Sequence, residues 1–471
     1  RIIIHNVNMG LRAAASSLRL LAGSKKSGTC RGIHTGRLKT HAKGRKAFQF
    51  HSISSSSSSY HHDLATAILS GNENDDEKET ISESSLSLSY VGMKRRIALS
   101  KAITLIESQS PRHRDEADLL LNDLARMRIR SRSNNIEIDN SNGNDDDEST
   151  INDLKRRPFR VGITGPPGVG KSSFIEAFGK FLLDFETSNK GGKDKEDAEK
   201  IEYPNKLGVI CIDPSSVISG GSILGDKTRM TELSRHPRAY VRPSPSKGVL
   251  GGLASYTDEC CQLCEAAGYD LVLVETVGLG QSEVDVSQAV DMLILMVAPG
   301  GGDHLQGSKK GVLEVSDMLI VNKADGNLLQ AARNTAMEYK AAIHMFRPRM
   351  VGWETPPVLL SSSSDDEFLL DTNPNNNRNE MFLQVWNEIC RYRRVSIDSG
   401  TYDLKRQKQR QYWMWKQMQD LITSKVRTDE NVRRVADDLE KELCDGSITP
   451  RAAAAKLLEL STDAIHDANR S

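Results

Sequence analysis

The sequence predicts a mixed α/β fold on a mostly parallel sheet, and three observations carry that prediction. Short apolar runs, among them 271–274 and 292–298, alternate with helical patterns along the chain. The runs are strand-sized, bounded by acidic residues or Gly and Pro, and apolar on both faces, as strands covered by helices must be. The stretch Gly165-Pro166-Pro167-Gly168-Val169-Gly170-Lys171-Ser172 has the spacing of a phosphate-binding loop and stands between a strand and a helix. At 471 residues and 38% hydrophobic content the chain has room for two or three domains. No apolar run approaches the ~20 residues that cross a bilayer, so no membrane span is expected.

Residues 1–62 hold 11 Lys and Arg and no Asp or Glu, which leaves 52 basic against 63 acidic residues in the remainder. That acidic body argues against nucleic acid as a partner, because phosphate contacts need a basic face. The first 62 residues are rich in Arg and Ser, and Arg12 and Arg19 flank an apolar stripe over residues 11–21. This is the composition of a mitochondrial transit peptide, without the continuous apolar core of a secretory signal, and it gives an expected address in the matrix. Met9 is a candidate initiator. Residues 63–86, the end of a Ser-rich stretch that begins at 52, read as a linker.

Within 87–157, Leu99, Ala102, Ile103 and Ile106 fall at helical spacing, Ser110-Pro111 breaks the run, and Ala117, Leu120, Leu121 and Leu124 repeat it. A helical hairpin is expected there. Residues 158–394 carry the α/β pattern, with strands expected at 159–164, 208–212, 271–274, 292–297, 318–321 and 357–360. Residues 131–150, 187–202 and 363–380 are polar, lack periodicity and read as exposed insertions. Seven cysteines include Cys261 and Cys264 within one helical run; lacking a second Cys/His pair, they read as packed thiols. From 395 to 471 the chain turns helical, with Tyr412, Trp415, Met418, Ile422 and Val426 on one stripe. Such a stripe needs a cover, either its own domain or a second copy.

The chemistry concentrates at strand ends, where open α/β sheets place their ligands. Glycines let the loop's N–H groups close around phosphate oxygens, the helix N-terminus adds its positive end, Lys171 reaches the β and γ phosphates, and Ser172 ligates Mg²⁺. Ser173 opens the helix beside them. Asp213 and Glu275 each end a strand, and Gly278 follows Glu275 by three residues. A strand-end acid holds Mg²⁺ directly or through water, and a glycine N–H meets the γ-phosphate. Asn322-Lys323-Ala324-Asp325 follows a strand and matches the guanine-reading pattern: the Asp325 carboxylate accepts from the N1–H and 2-amino group of guanine, which adenine cannot offer. Ser361-Ser362, after a further strand, can give a backbone N–H to the base oxygen. GTP and GDP with Mg²⁺ are the expected ligands.

These residues resemble one family, the GTPase chaperones of adenosylcobalamin-dependent methylmalonyl-CoA mutase: the mitochondrial cobalamin A-type proteins and their bacterial relatives. The similarity runs through residues 213–216, 220–230, 242–245 (Arg-Pro-Ser-Pro), 275–283 and the late Trp413-Met414-Trp415. It covers about residue 86 to the C-terminus apart from the insertions, and departs from the pattern at Leu279, His304 and Ser308. The resemblance implies a P-loop GTPase with an N-terminal helical hairpin and a C-terminal helical dimerisation arm. It adds Asp226 to Asp213 and Glu275 around metal and attacking water, places switches at 225–227 and 278–281, and implies a partner-sensing segment at 300–310 from which Lys309 or Lys310 approaches the phosphates. It implies methylmalonyl-CoA mutase as partner, cobalamin adenosyltransferase as a second candidate, and a homodimer. The alternatives are a metallochaperone-type GTPase for another client, a scaffold with structural GTP, and an ATP-dependent kinase. The first predicts a His-rich tract or paired Cys/His site, and the last conflicts with Asp325.

Overall fold

A computed structural model describes residues 55–69, 84–108, 110–139, 157–189, 203–213, 230–245, 256–276, 283–300, 310–346, 348–354, 356–361 and 378–468. All of them fall within the unit Ser54–Ser471. Three helices come first: α1 (Ser55–Leu69), α2 (Ser84–Glu107) and α3 (Pro111–Asp139). Pro111 opens α3 at the first helical position, where its missing N–H costs nothing. Leu99, Ala102, Ile103 and Leu120 are buried as their spacing predicts, and Leu64, Ala65 and Ile68 of α1 join the same core. The linker expected over 63–86 therefore needs correcting at its start. Residues 55–69 are helical because Leu64, Ala65 and Ile68 lie on one face, and a serine run beside them does not forbid a helix. The insertion expected from 131 likewise starts later, since α3 runs to Asp139.

The sheet contains β1 (Phe159–Thr164), β2 (Leu207–Asp213), β3 (Ala239–Pro245), β4 (Leu271–Glu275), β5 (Met292–Val297), β6 (Met318–Val321) and β7 (Val358–Leu360). Their order is β3-β2-β4-β1-β5-β6-β7, and every pairing is parallel. Alternation splits β4 between two cores: Leu271 and Leu273 face one cluster with Phe174, Phe178 and Phe382, while Val272 and Val274 face another with Leu99, Cys260 and Leu263. Six of these strands match the expected ones. The seventh, β3, carries Pro243 and Pro245 and escaped a propensity reading; it lies at the sheet edge, where proline is tolerated.

Helices α4 (Lys171–Asn189), α5 (Thr231–Arg235), α6 (Thr257–Ala266), α7 (Glu283–Ser287), α8 (Lys310–Val315) and α9 (Leu329–Ile343) connect the strands. The chain then continues through α10 (Arg378–Asp398), α11 (Thr401–Thr428), α12 (Glu430–Cys444) and α13 (Pro450–Ala468). The expected boundary at 394/395 falls inside α10, whose Phe382, Val385, Trp386 and Ile389 pack in the sheet core. Helix α11 divides its faces: Tyr402, Gln409 and Trp413 are buried on the body, while Met414, Trp415, Met418, Leu421 and Ile422 are exposed.

Candidate active site

β1 delivers the phosphate-type loop to the C-terminal end of the sheet, and the first turn of α4 leaves directly from it. Val169 anchors the loop in the core, and the N–H of Phe174 donates to the Gly170 carbonyl at 2.9 Å to start the helix. The opening N–H groups and the dipole of α4 thus face the end of the sheet. Lys171 is nearly buried, and its Nζ donates to the carbonyls of Gly165 (2.9 Å) and Pro166 (3.3 Å). Ser173 is exposed on the outer side of the same turn.

Ser172 Oγ donates to Glu275 Oε1 at 2.6 Å, and both side chains are buried. Register explains the meeting: Glu275 pairs with Ile163 at the end of β1, so its carboxylate arrives beside the loop that β1 feeds. The next residue fixes this end. Thr276 donates its N–H to the Ile163 carbonyl at 3.1 Å, and its hydroxyl donates to Thr164 Oγ1 at 3.1 Å. No local pattern announces these two threonines, because their relation exists only across the sheet.

The expected guanine-reading segment meets the same loop from the other side. Asn322 is fully buried, and its Nδ2 donates to the Val169 carbonyl at 2.9 Å. Lys323, with φ at 58°, donates through Nζ to the Gly168 carbonyl at 2.8 Å. Left-handed backbone is uncommon outside glycine, so the clasp holds an unfavourable conformation in place. Gly170 has φ at +94°, and a Cβ there would stand 2.7 Å from Asn322 Nδ2. A larger residue at 170 would push the two segments apart. Loop and expected base-reading segment form one unit, although 153 residues separate Val169 from Asn322.

Ser361 holds the outer end, accepting from Ala324 N–H and donating its own N–H to Val321 O, each at 2.9 Å. Its backbone N–H, expected to serve the base oxygen, is therefore spent on the ladder between β6 and β7. Its hydroxyl oxygen is instead buried with no partner among the described residues, as is Asn322 Oδ1. Asp325 is half-buried just past this clasp. Asp213 closes β2 beside these ends, in register with Pro245. Its side chain, and Asp226, Gly278, Lys309 and Ser362, lie outside the described residues.

Among the described residues no group of three or more His, Cys, Asp or Glu forms a metal cluster. Burial pushes the Cys260 and Cys264 thiols up and Cys261 to about 12, so they stay protonated near neutral pH and pack as small apolar groups.

The family model described as "Methylmalonyl Co-A mutase-associated GTPase MeaB" matches residues 149–431. The chain belongs to this family. A mouse protein named methylmalonic aciduria type A homolog, mitochondrial, is 37% identical over 79% of this chain and 78% of its own length. A probable GTPase of Mycobacterium tuberculosis is 40% identical over 78% of this chain and 91% of its own. The crystal structure of an LAO/AO transport system kinase aligns at 27% identity, with a TM-score of 0.49, over 81% of this chain and 99% of that one. This MeaB-family protein is a P-loop GTPase that binds guanine nucleotide and hydrolyses GTP. No helix among its described residues is long and apolar enough to cross a membrane.

Proposed function

We propose that this GTPase is the chaperone of an adenosylcobalamin-dependent methylmalonyl-CoA mutase, acting as a Mg²⁺-dependent homodimer in the mitochondrial matrix. The observation that carries the nucleotide site is the clasp between the loop at 168–170 and Asn322-Lys323, with two buried acceptors, Asn322 Oδ1 and Ser361 Oγ, that lack partners among the described residues. Buried polar groups are nearly always paired, so this socket fits a ligand edge rich in N–H groups. Asp325 beside it selects guanine. Support for the partner comes from the family's description, which names methylmalonyl-CoA mutase, and from the name of the mouse relative.

Ser172 Oγ and the Glu275 carboxylate, 2.6 Å apart, are two hard oxygen donors side by side, a set that fits Mg²⁺. Bound there, Mg²⁺ would neutralise charge on the phosphate oxygens. Ser172 and Glu275 would hold it directly or through water, with Asp213 and Asp226 completing the acidic set. Lys171 exchanges the carbonyls of Gly165 and Pro166 for phosphate oxygens and stabilises charge as the γ-phosphoryl leaves. The N–H groups of residues 168–173 and of Gly278 orient the phosphates, and Lys309 or Lys310 approaches them when the partner engages.

GTP state would gate transfer of adenosylcobalamin to the mutase and protect or reactivate that enzyme, with the adenosyltransferase as a second partner. The exposed apolar face of α11, from Met414 to Ile422, supplies the dimer contact. Import would use the acid-free residues that precede α1.

The test is steady-state GTP turnover with and without purified methylmalonyl-CoA mutase. Ordering the site should speed hydrolysis by about tenfold, a lowering of the barrier by ~1.4 kcal/mol. Where mutase binding also changes the affinity for nucleotide, linkage requires nucleotide to change the affinity for the mutase by the same factor. A mutase that neither binds nor alters turnover at saturation contradicts the chaperone reading and leaves a GTPase with another client.

A further inference from the structure

Glu176 lies one helical turn beyond Ser172 on α4, and its carboxylate is bonded to α5. Its Oε1 accepts from the backbone N–H groups of Glu232 (2.8 Å) and Leu233 (3.1 Å), the orphan donors in the first turn of α5. The residue at the N-terminal boundary of α5, Met230, makes no capping bond with its own side chain. A carboxylate from another helix does the work of a local cap, and a carboxylate suits a helix N-terminus electrostatically.

Three further contacts show how tightly α5 is held. Lys180, one turn along α4, pairs with Glu232. Gly179 lets Leu233 close onto α4: a Cβ at that position would stand 2.8 Å from Leu233 Cδ2 and 2.9 Å from Leu207 Cδ2. At the other end of α5, Arg96 of α2 donates to the carbonyls of Ser234 (3.3 Å) and His236 (3.4 Å). Met230 itself is fully buried, with its sulfur 3.9 Å from Cys211 Sγ, two residues before Asp213 at the end of β2. The chain thus leaves the sheet at Asp213 and is recaptured at Met230, and the recapture point is bonded to the helix that begins with Lys171 and Ser172.

We infer that Glu176 is a positioning residue, bonding the backbone at 232–233 to the phosphate-loop helix so that the return of the chain after Asp213 stays aligned with Lys171 and Ser172. The bonds that Glu176 Oε1 accepts come from the backbone of α5 and not from the loop at 165–172. Glu176 acts through where the backbone on either side of 214–229 is held, and so on turnover rather than on nucleotide affinity. The inference rests on the reading of Lys171 and Ser172 as the phosphate and Mg²⁺ residues.

The test uses the full chain carrying Glu176→Ala or Glu176→Gln, with Lys171→Ala alongside, each assayed below its own melting temperature. Glu176→Ala should lower kcat for GTP at least about tenfold while the Kd for GDP stays within about threefold of the parent. Glu176→Gln keeps an acceptor oxygen for the two N–H groups and should recover most of kcat. A purely stabilising role predicts a lower melting temperature with kcat and Kd unchanged in the folded fraction, and that result overturns the inference. So does a Glu176→Ala protein whose loss of GDP affinity matches its loss of turnover. If Lys171→Ala still binds nucleotide like the parent, the phosphate reading itself fails. If Lys171→Ala loses nucleotide while Glu176→Ala turns over normally, only the role of Glu176 is wrong.

Discussion

The two ends of the sheet differ in what their buried polar groups are bonded to, and β1 reaches both. At its N-terminal end, Arg160 is buried and fully engaged: Nη1 meets Asp258 Oδ1 at 2.5 Å, Nε meets Glu265 Oε1 at 2.6 Å, and its backbone N–H donates to Asp291 Oδ2 at 2.7 Å. Helix α11 closes the cluster. Arg406 bonds Asp291 through Nε (2.6 Å) and Nη2 (2.7 Å) and approaches Glu265 at 2.9 Å, while Tyr402 donates to the Pro158 carbonyl at 2.7 Å. Burial alone would lower the Arg160 guanidinium, but Glu265 and Asp258 more than reverse that and hold it charged. At the C-terminal end, Asn322 Oδ1 and Ser361 Oγ are buried without partners among the described residues. Compensated charge holds the arm to the body at the N-terminal end, where Gln409 Oε1 alone of the α11 contacts named lacks a partner among the described residues, while at the other end the two unpartnered oxygens lie in the clasp proposed to receive a ligand.

The largest effect expected from breaking this contrast lies at the N-terminal end. Asp291→Ala leaves Arg406 with Glu265 as its one remaining carboxylate partner and the buried Arg160 N–H without its acceptor, and losing one partner of such a network costs about 3–5 kcal/mol. Chemical denaturation should show that loss, while the protein that remains folded binds GDP nearly as the parent does. A loss below about 1 kcal/mol, the range of an exposed pair, would remove the structural role given to the cluster. At the opposite end the consequences reverse. Lys171→Ala and Glu275→Ala should each slow GTP hydrolysis by about 10²–10³, near 3–4 kcal/mol of transition-state stabilisation, with an unfolding midpoint close to the parent's. Parental turnover in either variant would contradict the roles proposed for these two side chains.

The two ends also differed in how far they were legible in the sequence. The ligand end was readable because its chemistry sits in short contiguous patterns: residues 165–172 and 322–325 each carry spacing with a mechanism attached. What no pattern gave was their union. The Asn322 to Val169 and Lys323 to Gly168 bonds are tertiary, and so is the pairing of Thr276 with Thr164. The N-terminal end left almost no trace, since Arg160 in a strand reads as a side chain facing water and its partners at 258, 265, 291 and 406 are scattered. Two elements were hidden by composition: β3 by its prolines, and α1 by the serines at 55–59. In both, packing overrode the local preference, which is weakest at sheet edges and in low-complexity sequence.

The claim that the open end of the sheet is a guanine site is tested most directly by titrating GDP, ADP and xanthosine diphosphate against the parent and Asp325→Asn. In the parent, guanine should win by at least about 10², because a site built to accept from two N–H groups leaves its carboxylate unpaired against adenine. In Asp325→Asn the acceptor pair becomes one acceptor and one donor, so preference should move from guanine to xanthine. Equal affinity of the parent for GDP and ADP, or an Asp325→Asn protein that keeps the parent's order of preference, would contradict it.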